Sequence, residues 1–128
     1  MYKSVKKFEK NMENLILEDI ESLMNELGSG YTFVGSEYKI KIENTYNYID
    51  ILLFNYIYNA FVAVELKITG LKKEYLGQIE VYMNYVDDNI KTINQDKTIG
   101  IIICKENNEF IIKYVSDKRI LSKEFVLI

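Results

Sequence analysis

The chain has 128 residues, 48% of them apolar, a formal net charge of −3, and neither histidine nor proline. This length and apolar content predict a single folded domain over residues 1–128, with a hydrophobic core of its own. The absence of histidine excludes catalysis by serine–histidine–aspartate or cysteine–histidine groups and excludes a histidine-based zinc site. The acidic balance counts against a protein that binds nucleic acid through net charge alone.

The sequence favours a cytoplasmic protein. No apolar run reaches the roughly 18 residues that span a bilayer, and the charged N-terminus is not followed by the apolar segment of a signal peptide. The single cysteine, Cys104, lies in an apolar run and has no partner for an internal disulfide. A buried thiol in a reducing compartment is therefore expected.

The first half of the chain predicts one helix and three strands. Apolar residues three or four positions apart indicate a helix over residues 4–27, which Gly28 ends. Strands are expected over residues 31–43, 46–56 and 60–68, separated by short polar turns. Because the turns are short, these strands should form an antiparallel meander.

The second half predicts a helix and two further strands. An apolar stripe indicates a helix over residues 72–87. Residues 98–104 are a β-branched run without polar alternation, which indicates a strand buried on both faces. A last strand is expected over residues 109–115, whereas residues 116–128 show no clear pattern. A helical crossover into a buried strand favours parallel pairing, so the prediction is an α/β fold with a mixed β-sheet flanked by helices, in the order α-β-β-β-α-β-β.

Three charged residues interrupt apolar strands, where such groups are rare unless paired, metal-bound or catalytic. Asp50 lies in the second strand, and Glu65 and Lys67 share one face at the end of the third. Carboxylates on neighbouring strands, about 4.8 Å apart, can converge on one ion. Since the chain lacks histidine, oxygen ligands would select Mg²⁺, Mn²⁺ or Ca²⁺.

This arrangement suits the hydrolysis of a phosphodiester bond. Two carboxylates are enough to hold Mg²⁺ when water and a phosphate complete its ligands, and Lys67 could then orient or deprotonate the attacking water. A glutamate–X–lysine triplet alone is weak evidence, because Lys39–Glu43 carry the same residue types on a face that should be solvated. Lys72 and Lys73 follow the triplet closely and could meet a neighbouring phosphate.

These residues resemble the conserved core of the PD-(D/E)XK nuclease superfamily. The similarity rests on Ile49-Asp50, fourteen further residues, and then Glu65-Leu66-Lys67. Within the superfamily, the chain looks like the C-terminal nuclease domain of YhcG-like bacterial proteins over roughly residues 12–117. The similar stretches are Leu27–Gly35, Tyr48–Phe54, Val64–Lys67, Glu74–Gln78 and Ile99–Lys105. The resemblance implies a restriction-endonuclease-like fold.

The resemblance also implies roles for individual residues. Asp50 and Glu65 would be metal ligands, with the Leu66 carbonyl as a third, and Lys67 would be the catalytic lysine. Gln78 matches a glutamine that points back at the site from the helix after the catalytic strand.

Other implied roles leave alternatives open. Glu74 and Tyr82 share the helical face of Gln78, so they could support the metal ligands or contact DNA. The alternatives are that Glu74 is a solvated helix residue and that Tyr82 is a core residue. An acid on the first helix would complete the metal site; Glu13 fits the similarity, and Glu18 is the alternative.

The resulting prediction is a DNA endonuclease that depends on Mg²⁺ (or Mn²⁺). Ser36-Glu37 stand where YhcG-like domains tend to have Arg-Gln, which weakens the case for a DNA contact there. One alternative is therefore a catalytically silent module of the same fold that binds nucleic acid or protein. Another is a homodimeric Holliday-junction-resolvase-like enzyme, with the apolar tail Phe125–Ile128 as its interface. The expected partners are DNA and either a second copy or a separate recognition subunit.

Overall fold

The computed structural model describes residues 20–106, 109–115 and 124–127, with side chains over 20–105 and 111–115. The elements within these ranges are, in chain order, α1 (Ile20–Leu27), β1 (Tyr31–Ile42), β2 (Thr45–Asn55), β3 (Ala60–Leu66), α2 (Lys73–Asn89), β4 (Ile99–Glu106), β5 (Glu109–Val115) and β6 (Glu124–Leu127). This order agrees with the prediction up to residue 115, and β6 is an additional strand. The earlier part of the first predicted helix, with Glu13 and Glu18, lies outside the described residues.

One mixed sheet of six strands runs in the order β1-β2-β3-β4-β5-β6. Strands β3 and β4 are parallel, with Val62 opposite Ile99 and Leu66 opposite Ile103. The other neighbouring strands are antiparallel. The helix α2 supplies the crossover that parallel pairing requires, so the predicted meander and the predicted parallel pair are confirmed.

Helices α1 and α2 pack on opposite faces of the sheet, as the alternation of side chains along a strand requires. The buried residues on the α1 face are Leu23, Leu27, Ile51, Leu53, Val62, Val64, Leu66, Ile101, Ile103 and Ile112. Intervening residues such as Ala63 and Ile102 cluster instead with side chains of α2. Strand β4 is therefore buried on both faces, as predicted. Neither of these helices is long and apolar enough to cross a membrane.

Strands β1 and β2 extend beyond the rest of the sheet as a two-stranded arm. They pair from Tyr31 opposite Asn55 to Ile42 opposite Thr45, whereas β3 pairs with β2 only over the part from Ile51 to Asn55. The part of β2 before Ile51 is therefore not paired with β3. This separation of two neighbouring strands determines where the candidate site lies.

Candidate active site

The candidate site lies where β2 and β3 separate. The backbone pairing of β2 with β3 ends at Ile51 and Val64. At the next position, hydrogen bonds from backbone N–H groups to carboxylates replace the backbone–backbone bonds. The Asp50 backbone N–H donates a hydrogen bond of 2.8 Å to Glu65 Oε2, and the Leu66 N–H donates one of 2.8 Å to Asp50 Oδ2. Each acid is thus held by the backbone of the opposite strand, and both are brought to one point of the sheet.

The two acids differ in their access to solvent. Glu65 is 3% exposed and is the one charged side chain classed as buried among those the structure describes, whereas Asp50 is only partly buried. Burying a carboxylate costs free energy unless hydrogen bonds or a cation compensate it. The Asp50 N–H supplies one such bond, and a cation at this point would supply the larger compensation.

The donor set fits a hard divalent cation. A carboxylate has about four lone-pair sites, so one bond from a backbone N–H does not exhaust its capacity as a ligand. No group of three or more acidic, cysteine or histidine side chains that could hold a metal occurs within the described ranges. Asp50 and Glu65 would therefore need the Leu66 carbonyl, water, phosphate, or an acid from outside those ranges such as Glu13. Mg²⁺ and Mn²⁺ accept such mixed oxygen ligands.

Lys67 follows β3 directly, although the prediction placed it inside that strand. Its backbone N–H still donates to the Ile103 carbonyl at 2.8 Å, so β4 fixes its position. Its Nζ lies 4.8 Å from the centre of the Tyr75 ring, a cation–π distance. The Tyr75 hydroxyl in turn shares a 2.7 Å hydrogen bond with Thr69 Oγ1.

Tyr75 contacts the candidate site, a placement that the sequence did not reveal. It occupies an apolar position of the helical stripe, where a tyrosine is ordinarily part of the core. The sequence offered no signal that separates Tyr75 from such a core residue, because its contact with Lys67 depends on how the segment after β3 returns the chain to α2. Lys72 Nζ also lies 5.8 Å from the Tyr75 ring, so two cations lie near one aromatic ring.

Gln78 and Tyr82 form one unit on α2. Gln78 Nε2 donates a hydrogen bond of 3.1 Å to the Tyr82 hydroxyl. Burial raises the pKa of Tyr82, the negative charge of Glu65 and, less strongly, of Asp50 raises it further, and the bond from Gln78 opposes these effects. Because both carboxylates act on this hydroxyl, Gln78 is connected to the site through Tyr82. Its direct role there stays a prediction.

The other residues predicted to contact nucleic acid differ in exposure. Tyr82 is 4% exposed and packs in a core cluster, which favours its interpretation as a core residue. Lys72, Lys73 and Glu74 are exposed at the start of α2. Lys72 contacts the Tyr75 ring that Lys67 also contacts, whereas the solvated interpretation of Glu74 stays open.

Comparisons with known proteins find similarity over most of the chain. The sequence model of a family described as the YhcG PDDEXK nuclease domain matches residues 2–126. A curated protein of Escherichia coli (strain K12), named "Putative nuclease YhcG", is 26% identical over 98 residues. The aligned part covers 77% of this chain but 26% of that relative. No solved structure matches the chain.

Proposed function

Because the chain belongs to the YhcG PDDEXK nuclease domain family, we propose that it is a DNA endonuclease whose activity depends on Mg²⁺ or Mn²⁺. Its mixed sheet with flanking helices is consistent with the restriction-endonuclease-like α/β fold, so the predicted fold class is confirmed. The observation that carries the proposal is the pair of crossed hydrogen bonds that holds Asp50 and Glu65 where β2 and β3 separate.

The roles follow from the placement of each group. Asp50, Glu65 and the Leu66 carbonyl would hold the cation, with Glu13 as a further ligand. When bound, the cation would neutralise phosphate charge and lower the pKa of a coordinated water. Lys67 carries a positive charge on the same strand end and stabilises the negative charge that accumulates on the phosphate oxygens during attack.

Residues around Lys67 support this role. The Tyr75 ring restrains the ammonium group of Lys67, and Gln78 holds the Tyr82 hydroxyl, whose pKa the charges of Glu65 and Asp50 raise. Lys72 and Lys73 are exposed at the start of α2. They would bind the phosphates next to the scissile bond, since phosphate contacts position a nucleic acid without reading its sequence. A cytoplasmic location is part of the same proposal.

The direct test is the cleavage of linear, supercoiled and branched DNA with Mg²⁺, with Mn²⁺ and with neither. We expect divalent-dependent cutting by the wild type and a loss of about 100-fold or more in Lys67→Ala, the usual effect of removing a group that stabilises transition-state charge. An RNA substrate in the same assay separates the two nucleic acids.

The control for this assay is Lys97→Ala. The neighbour of Lys97, Asp96, donates its backbone N–H to the Asn59 carbonyl, in the turn between β2 and β3. This turn follows the end of β2 that lies away from the arm. This variant should cut like the wild type. Equal cutting by wild type and Lys67→Ala would assign the activity to a contaminant or disprove the mechanism.

A non-cleaving module of the same fold is the second candidate. The sequence pI is about 5.1, and an exposed acid, Glu37, is part of the Ser36-Glu37 pair that stands where YhcG-like domains tend to have Arg-Gln. This candidate predicts DNA binding without Mn²⁺ binding at Asp50 and Glu65. Titration of both ligands into the same preparation distinguishes it from the nuclease.

A homodimeric junction-resolving enzyme is the third candidate. The proposed interface, Phe125–Ile128, overlaps β6 (Glu124–Leu127), which pairs with β5 and is an edge strand of the described sheet. An edge strand can pair with a strand of a second copy. A monomeric sedimentation profile at high protein concentration would count against this candidate.

A further inference from the structure

The backbone of Glu37 is left-handed in the middle of strand β1. Its φ is 44°, a value that is uncommon for residues other than glycine, because the Cβ atom then crowds the following carbonyl oxygen. The register of β1 with β2 continues on both sides of Glu37 and places it across from Asp50. Strained backbone conformations cluster at active sites, and this one lies across from an acid of the candidate site.

Strand β2 changes the face that it presents to α2 at Asp50. Ile51 packs in the core on the α1 side of the sheet, whereas Ile49 packs in the cluster that contains residues of α2. Residues two apart on a regular strand point to the same side of a sheet. Strand β2 therefore rotates about its own axis between Ile49 and Ile51, which is at Asp50.

Strand β1 rotates at the same position. Tyr38, which lies opposite Ile49, packs against the cluster on the α2 side. A Cβ atom built on Gly35 would lie 3.3 Å from Tyr38 Cδ2, although residues three apart on a regular strand point to opposite sides. Glu37 lies between these two residues and is the residue of β1 with a left-handed backbone. The rotation of β1 therefore takes place at Glu37.

This rotation explains how Asp50 reaches the candidate site. On a regular strand, backbone N–H groups lie in the plane of the sheet and side chains stand roughly perpendicular to it. These directions are exchanged at Asp50, because its N–H donates to the Glu65 side chain and its own side chain accepts the Leu66 backbone N–H. The Asp50 carboxylate thus takes the place of a backbone acceptor beside β3. Such a placement requires a strand that is partway through a rotation.

We propose that Glu37 is a positioning residue for the metal site, and that its left-handed backbone turns the arm so that Asp50 meets Leu66 and Glu65. The inference rests on the proposed function where it assigns a metal to these acids, whereas the position of Asp50 is a property of the chain by itself. The group that acts is the backbone of Glu37 and not its carboxylate. Glycine at this position should therefore preserve the site, and a β-branched residue should disturb it.

Glu43 offers a matched control for Glu37. It is also an exposed glutamate with a left-handed backbone, at a φ of 56°, and it lies in the turn that joins β1 to β2. This turn is the tip of the arm, away from Asp50. Valine introduces the same kind of backbone strain at either glutamate, but only the change at Glu37 acts where β2 rotates.

Amide hydrogen exchange of the metal-free protein tests the position of Asp50. The reporter is the Leu66 N–H, which donates to Asp50 Oδ2 at 2.8 Å. The reference is the neighbouring Lys67 N–H, which donates to the Ile103 carbonyl of β4, also at 2.8 Å. The ratio of the two exchange rates separates a local change at Asp50 from a loss of stability that affects both amides.

The expected change is confined to variants at position 37. In Glu37→Val, the exchange of Leu66 relative to Lys67 should accelerate by about tenfold or more, the effect of losing a hydrogen bond to a charged group. A second β-branched variant, Glu37→Thr, should show the same change. Glu43→Val should keep the wild-type ratio.

Mn²⁺ titration, followed by the electron paramagnetic resonance signal of the free ion, measures the consequence for the metal site. Glu37→Val should bind Mn²⁺ about 10- to 100-fold more weakly than the wild type, the usual effect of disturbing groups that orient metal ligands. Glu37→Gly should bind like the wild type, because glycine adopts a left-handed conformation without strain. Glu37→Gln, which removes the charge alone, and Glu43→Val should also bind like the wild type.

Two results would overturn the inference. One is a ratio of Leu66 to Lys67 exchange that is the same in Glu37→Val and Glu43→Val. The other is a loss of Mn²⁺ affinity in Glu37→Gly as large as in Glu37→Val, which would show that the side chain acts and not the backbone. If the exchange ratio responds as expected but the wild type binds no Mn²⁺, the proposed function fails while the inference stands.

Discussion

Tyr75, near the start of α2, contacts the chain just after β3. Its hydroxyl shares a hydrogen bond with Thr69, and its ring contacts the Lys67 ammonium group. Lys67 and the two acids could be predicted from the sequence because charges in apolar strands are costly and need a reason. Tyr75 could not, since a tyrosine in an apolar stripe is ordinarily core. The crossed bonds of Asp50 and Glu65 were also unpredictable, because they depend on where β2 leaves β3.

Replacing Tyr75 tests its role as a positioning residue. Tyr75→Leu removes the cation–π contact, worth about 0.5–2 kcal/mol, and should lower kcat by about 2- to 30-fold with little change in KM. Tyr75→Phe keeps the ring and should retain most of the activity, even though it loses the bond to Thr69. Single-turnover cleavage measures both variants, and a Phe variant as slow as the Leu variant would disprove the ring's role.

At the scale of elements, local pattern predicted most boundaries, and long-range contacts decided the rest. β5 has its predicted bounds, whereas β3 ends at Leu66, two residues early, because the chain then turns toward α2. β6 was missed because residues 116–128 lack alternation and this strand exists through its pairing with β5. Asn55 was also missed; it is fully buried, and its amide bonds both Ser29 and the turn after β2.

Gly100 allows α2 and β5 to approach β4 closely. A Cβ there would lie 2.6 Å from Met83 Sδ and 2.8 Å from the Val115 carbonyl oxygen, which belongs to the backbone. Gly100→Ala should therefore lower the free energy of unfolding by about 1–3 kcal/mol, the cost of overpacking. Urea-induced unfolding measures the change.

The control for Gly100→Ala is Gly77→Ala. Gly77 lies within α2, and a Cβ there would meet nothing within 4 Å. This variant should raise the free energy of unfolding by about 0.5–1 kcal/mol, because alanine loses less conformational entropy than glycine in a helix. Changes of the same sign in the two variants would contradict this account of the packing.

At the scale of the whole molecule, the order of elements was enough to predict the fold class. A helix between β3 and a fully buried β4 favours parallel pairing, which the structure has. Helices α1 and α2 pack on opposite faces of that sheet. The exposed cross-strand pairs of the arm, such as Lys39 with Tyr48, were not predicted. The residue pattern of Lys39–Glu43 indicates only a solvated face, and the partners across the strand depend on register.

Three tyrosines with raised pKa values make the free energy of unfolding depend on pH in the alkaline range. Burial is the largest cause that raises the pKa of Tyr31, Tyr82 and Tyr114. An unfolded tyrosine titrates near pH 10, so their contribution is fully present below that pH and is lost as the pH rises toward the folded values. The free energy of unfolding should therefore fall above about pH 10.

Urea-induced unfolding between pH 8 and pH 11 measures this dependence. Tyr31→Phe should lose less stability over that interval than the wild type, whereas Tyr56→Phe, at an exposed position, should follow the wild type. A Tyr31→Phe variant with the same alkaline loss as the wild type would show that burial of this hydroxyl has no part in it.

The central claim is that Asp50 and Glu65 hold a divalent cation, and anomalous scattering from crystals soaked in Mn²⁺ tests it most directly. We predict a Mn²⁺ peak about 2.2 Å from oxygens of both carboxylates, and no such peak in Asp50→Asn, which can still accept the Leu66 N–H bond. No peak at these carboxylates, at a Mn²⁺ concentration that supports DNA cleavage, would contradict the claim.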